Sequence, residues 1–99
     1  MPAAEFAGTV YTSSFVLSIT GVNPANHTAV ASVDTTITNA AVKAGDVIVP
    51  IAPATLEAGI AVQGCHTVVD GSFKLRTTNA SAGAIDPAVA TWTFLIFRR

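Results

Sequence analysis

Few side chains in this 99-residue chain can do chemistry, and their spacing does not favour it. Two histidines, His27 and His66, and a single cysteine, Cys65, are the candidate nucleophile, base and metal ligands. A structural zinc site takes four ligands, and Cys65-His66 has no second Cys or His at ligand spacing. Adjacent residues of a regular strand point to opposite faces, so Cys65 and His66 cannot form a direct nucleophile–base pair there. Six carboxylates (Glu5, Asp34, Asp46, Glu57, Asp70 and Asp86) are scattered along the chain. Glycoside hydrolysis needs two of them a few ångströms apart across a cleft. Asp46, Asp70 and Asp86 lie in turn-forming stretches, where side-chain hydrogen bonds to the local backbone already explain them. There is no Gly-rich phosphate loop. We therefore expect no enzyme, no catalytic residue, no metal and no cofactor. A lone Cys65 forms no internal disulfide and fits the part of a small buried hydrophobe.

Aromatic rings can also hold sugars by stacking, and Trp92 and Tyr11 are the candidates. Trp92 alternates with Phe94 and Ile96, a pattern that assigns it to the core. Tyr11, Val10 and Phe6 lie near the N-terminus, where they could dock onto a neighbouring molecule. The two sequons, Asn26-His27-Thr28 and Asn79-Ala80-Ser81, are expected by chance in a chain this rich in Asn, Ser and Thr.

Composition narrows the function classes further. Hydrophobic residues make up 51% of the chain and charged residues only 11%, against roughly 25% charged in an ordinary soluble domain. Solubility must come from Thr, Ser, Asn and Gly, or apolar surface must be buried against a partner. A net charge of −1 offers no basic stripe for nucleic acid. No apolar run approaches the roughly 20 residues that span a bilayer as a helix. The N-terminus lacks a basic start and carries Glu5 ahead of its apolar part, so we expect no cleaved signal peptide.

The chain divides into short β-rich segments separated by Gly, Pro, Asn and Asp, the pattern of an all-β, single-domain antiparallel β-sandwich of about six to eight strands. Residues 1–14 read as an extended N-terminal arm and 15–99 as the sandwich domain. Strand character runs over Val10–Thr20, with Phe15, Leu17 and Ile19 on one face. It resumes after Ala29, with Val33 and Ile37 inward and a bend near Asp34. Val47-Ile48-Val49 is a short β-branched run, and Pro50 confines the next segment to an edge or loop. Thr55–Gly59 is either a single helical turn or a loop. Gly64 inside the next strand suggests a bulge. Asp70-Gly71 between two β runs is a hairpin signal, with both central residues able to take positive φ. The expected core is Phe15, Leu17, Ile19, Val33, Ile37, Val47, Val49, Val62, Phe73, Leu75, Trp92 and Phe94.

The terminal strand, Thr91–Phe97, is apolar on both sides. Trp92, Phe94 and Ile96 form one set, and Leu95 and Phe97 lie on the other. A half-solvated strand would be polar on its second face. The expectation is that Leu95 and Phe97, with Phe6, Val10 and Tyr11, form an interface covered by another chain.

The stretches Ala44–Val62 (AGDVIVPIAPATLEAGIAV), Val68–Leu75 and Asn79–Phe94 (NASAGAIDPAVATWTF) resemble small phage virion proteins that decorate or cement the capsid shell. Ser81 stands where Thr is frequent, and Ala90-Thr91-Trp92 where Gly-Thr-Tyr is frequent. Residues 1–43 carry no specific likeness. The resemblance implies a β-sandwich bound to the outer capsid surface of a virion, made in the host cytoplasm. It further implies a homo-oligomer, with a trimer favoured, and the major capsid protein as partner. Its mode of action would be to clamp adjacent capsomers. The alternative is a virion-attached host-recognition or carbohydrate-binding module, or a tail-fibre domain.

Overall fold

The computed structural model describes the backbone of residues 4–6, 9–11 and 13–99, with side chains from residue 13 onward. The chain is all-β. Strands β1 (Ala4–Phe6) and β2 (Thr9–Tyr11) pair antiparallel with Glu5 opposite Val10. The side chains of Phe6, Val10 and Tyr11, and residues 1–3, 7–8 and 12 of the expected arm, lie outside the described residues, while Ser13 and Ser14 belong to the strand that pairs with the C-terminal one. Six longer strands follow: β3 (Ser13–Val22), β4 (Ser32–Thr38), β5 (Val47–Ile51), β6 (Ile60–Val69), β7 (Ser72–Asn79) and β8 (Ala90–Arg98). They form two three-stranded antiparallel sheets, ordered β3-β8-β5 and β4-β7-β6. The expected antiparallel sandwich is therefore present, with β5 of one sheet coming close to β6 of the other.

Alternation explains the core. Trp92, Phe94 and Ile96 of β8 point inward, as do Phe73, Leu75 and Thr77 of β7, and all six are buried. Both are central strands, so their inward residues have neighbours on every side. Phe73 and Phe94 meet across the sheets edge to face, with centroids 5.0 Å apart, and Trp92 stacks on Phe94 at 6.4 Å. Such ring pairs add stabilisation beyond the area they bury. Phe15, Leu17, Ile19 and Val62 pack against this cluster from outer strands and are half-buried.

Several expectations are corrected. Val47 and Val49 face outward, and Ile48 between them is the buried residue of β5. A run of three β-branched residues carries no period-2 signal, so its inward parity is decided only by pairing: Ile48 lies opposite Ile96. β4 runs unbroken through Asp34, and β3 extends to Val22 across Gly21, whose φ of 71° accompanies a shift of register against β8. At the Asp70-Gly71 hairpin only Gly71 takes positive φ (85°). Residues 54–59 form turns rather than a helix, with Gly59 at φ 94°. The Gly64 bulge is present between Val62 and Gly64. A second irregularity, between His66 and Val69, contains Thr67 at φ 52°, an unusual conformation for a β-branched residue.

Candidate functional site

The expected interface residues of β8 lie on the outer face of the β3-β8-β5 sheet, and the register shows what surrounds them. Leu95 stands between Val16 of β3 and Val49 of β5; Phe97 stands between Ser14 and Val47; Thr93 stands between Ser18 and Ile51. Partners in an antiparallel ladder share a face, so these rows make one continuous surface. Val16 is 61% exposed, Val49 42% and Ile51 45%, while Leu95 and Phe97 on the central strand are half-buried between them. The second apolar side of the terminal strand is thus not enclosed by the other sheet. It is one row of a mostly aliphatic sheet face.

Arg98 and Asp46 secure one end of this sheet. The Asp46 carboxylate is 1% exposed and accepts two hydrogen bonds from Arg98, from Nε to Oδ1 at 2.8 Å and from Nη2 to Oδ2 at 2.7 Å. The Lys43 backbone N–H adds a third. The Arg98 hydrogen bonds, ahead of an opposing burial effect, hold the Asp46 carboxyl below the usual carboxylate range. The guanidinium also lies 5.1 Å from the centre of the Phe15 ring and donates to the Ala41 carbonyl.

The outer face of the β4-β7-β6 sheet is built differently. Asp34 lies opposite Arg76 and accepts a bidentate pair from it, at 2.8 and 3.0 Å. His66 Nε2 stands 3.0 Å from Asp34 Oδ1, within ion-pairing distance. Arg76 first, then His66, keep Asp34 well below its ordinary pKa. Lys74 donates to Thr36, Ser32 and Thr78 share a hydrogen bond, and Gln63 donates to both. His66 Nδ1 also meets the Thr67 hydroxyl at 2.8 Å. Thr67, His66 and Asp34 therefore stand in a line, on an exposed sheet face. Cys65 points the other way, against the core. Burial pushes its thiol pKa up to about 12, so it is a poor nucleophile at neutral pH.

A third polar cluster lies inside. His27 is fully buried; its Nε2 is 2.7 Å from the Thr77 hydroxyl, and its backbone pairs with Ile85. Asn79 is also fully buried, and its amide N–H groups donate to the carbonyls of His27, Thr28 and Gly83. Its Oδ1 accepts from the backbone N–H and hydroxyl of Ser81. This network ties two long loops to the end of β7, and it occupies the amide of the second sequon. Sequence reasoning missed it; the remaining signal was a polar Thr77 and Asn79 on the inward parity of β7.

Trp92 is 1% exposed and presents no ring to a sugar. Among the described residues no three His, Cys, Asp or Glu side chains converge as a metal site. Comparison of the chain with protein-family models, with curated proteins and with solved structures returned no match.

Proposed function

We propose that this protein is a structural component of a phage particle. It would seat the outer face of its β3-β8-β5 sheet on the capsid shell and cement adjacent capsomers without covalent chemistry. The observation that carries the reading is the row Val16–Leu95–Val49 with Val47 and Ile51 beside it, an aliphatic surface on a chain with little charge to spare. The resemblance of Ala44–Phe94 to capsid decoration proteins supports the same reading, and the major capsid protein is the partner it implies.

The strength of such a contact can be bounded. Three strands about 4.8 Å apart over about 25 Å of length present roughly 350 Å² of sheet face. At about 25 cal/mol per Å² this is roughly 9 kcal/mol before costs. Lost translational and rotational freedom takes back about 4–15 kcal/mol. One face alone therefore holds weakly.

The test is co-sedimentation of the protein with purified shells, followed by electron microscopy of decorated and bare particles. Val16→Lys with Val49→Lys should abolish decoration while the far-ultraviolet circular dichroism stays that of a β protein. Undiminished decoration would remove this face from the account. Deleting residues 1–10 tests separately whether the N-terminal segment contributes to attachment.

A further inference from the structure

We propose that the open side of the sandwich, along the edges of β3 and β4, is a homotypic interface on which a second copy of this chain docks about a two-fold axis. This goes beyond the shell-binding reading and uses a different surface.

The two sides of the sandwich are unequal. On one, β5 and β6 come together and close the core. On the other, β3 pairs only with β8 and β4 only with β7 among the described residues. From Phe15 to Val22 the outer edge of β3 has no strand beside it there. Five of the inward residues along these two edges, Phe15, Leu17, Ile19, Val33 and Thr35, are only half-buried, although they share the parity of the core, while Val22 and Ile37 at one end are buried. Toward the chain's Val22 end, residues 19–23 and 35–38 line a groove of about 390 Å³. The Thr35 hydroxyl is buried in that region and has no hydrogen-bond partner among the described residues.

The four outer strands differ in how they resist pairing. β5 carries Pro50, and β6 carries the Gly64 bulge and the strained Thr67. β4 carries Asp34, but its charge is turned outward and paired with Arg76. β3 has ten residues with no proline, no charge and no bulge before Gly21. Charge and proline are the usual protections of an edge, and β3 has neither.

A second copy fits this edge better than a foreign strand on two grounds. Homotypic antiparallel pairing puts like beside like, which is repulsive for a charged strand and harmless for β3. A two-fold axis normal to the sheet keeps inward residues opposite inward residues, so Phe15, Leu17 and Ile19 gain apolar neighbours. Size agrees as well. Strands of roughly 33 and 23 Å in a two-layer body about 20 Å thick offer about 550 Å² per copy. Two copies bury about 1,100 Å², near the lower bound of stable interfaces, whereas two outer faces would bury only about 700 Å². A threefold ring, as the resemblance implies, would be head to tail and would not set this edge against itself.

Sedimentation equilibrium of the full chain decides the matter. We expect a dimer at tens of micromolar, weakened at least tenfold by Leu17→Lys and by Thr35→Lys and unchanged by Val49→Lys on the outer face. A monomer at every concentration, a trimer, or a dimer dissolved by Val49→Lys but not by Thr35→Lys overturns the proposal. If the lysine variants unfold, amide exchange of the wild type at two concentrations serves instead. Protection of β3 and β4 that rises with concentration supports the interface, and protection independent of concentration overturns it. Shell decoration is a separate readout, so the two proposals can fail independently.

Discussion

The outer faces of the two sheets obey one alternation and reach opposite results. On β4-β7-β6 the outward positions are Ser32, Asp34, Thr36, Lys74, Arg76 and Thr78, and they satisfy one another through an ion-paired and hydroxyl-bonded ladder. On β3-β8-β5 the outward positions are Val16, Val47, Val49, Ile51, Leu95 and Phe97, with Ser and Thr between them. Apart from Val69 of β6, which stands opposite Ser72 and is exposed, the first face is complete in water. The second leaves aliphatic surface exposed, and on the proposed reading the capsid shell covers it. On that reading stability and attachment fall to different surfaces, joined by one core.

Breaking the core should remove both faces together. Phe73→Ala, which empties the contact between Phe73 of one sheet and Phe94 of the other, should cost about 3–5 kcal/mol in denaturant unfolding. Asn79→Ala removes the amide that bonds the carbonyls of His27, Thr28 and Gly83, and each of these keeps one other donor, from Ile85, Ala31 and Ser81 respectively. Its expected cost is about 2–3 kcal/mol, with faster amide exchange in residues 23–31 and 80–89.

The Asp46–Arg98 pair belongs to the apolar sheet alone, and Asp46→Asn should cost about 1–3 kcal/mol at pH 7. Because the folded-state pKa of Asp46 is lowered, its stabilisation is fully present above the unfolded value of about 4. It is lost as the pH falls through the lowered folded value. The gap between wild type and Asp46→Asn should therefore be widest at neutral pH and close in acid, as urea titrations at several pH values would show.

The smallest effect sharpens the contrast most. Val49→Lys should change unfolding stability by no more than about 0.5 kcal/mol, yet abolish shell decoration when combined with Val16→Lys. On the opposite sheet Cys65, with its thiol pushed up to about 12, should resist alkylation at pH 8 until the chain unfolds. Rapid labelling of the folded protein would contradict the inward placement of that side chain.

Much of this was legible in the residues. Period-2 alternation marked β7 and β8, placed Trp92, Phe94, Phe73 and Leu75 inside, and set Leu95 and Phe97 apart on a second apolar side. The Asp70-Gly71 hairpin and the Gly64 bulge were equally local signals. Alternation is a property of consecutive residues, and a strand reports it unaided. Register and neighbourhood are not local. Val47-Ile48-Val49 has no polar residue to mark its inward parity, and only pairing of Ile48 with Ile96 turned both valines outward. His27 and Val42 carry no periodic signal, and their burial comes from loops folding back over the sandwich. That Val16 and Val49 flank Leu95, and that β3 and β4 are both left at the same open side, depends on residues distant in sequence meeting in space. The chain by itself determined the strands and the greasy second side of the last one; tertiary pairing alone decided which surfaces remain uncovered, because exposure belongs to neighbours and not to a residue.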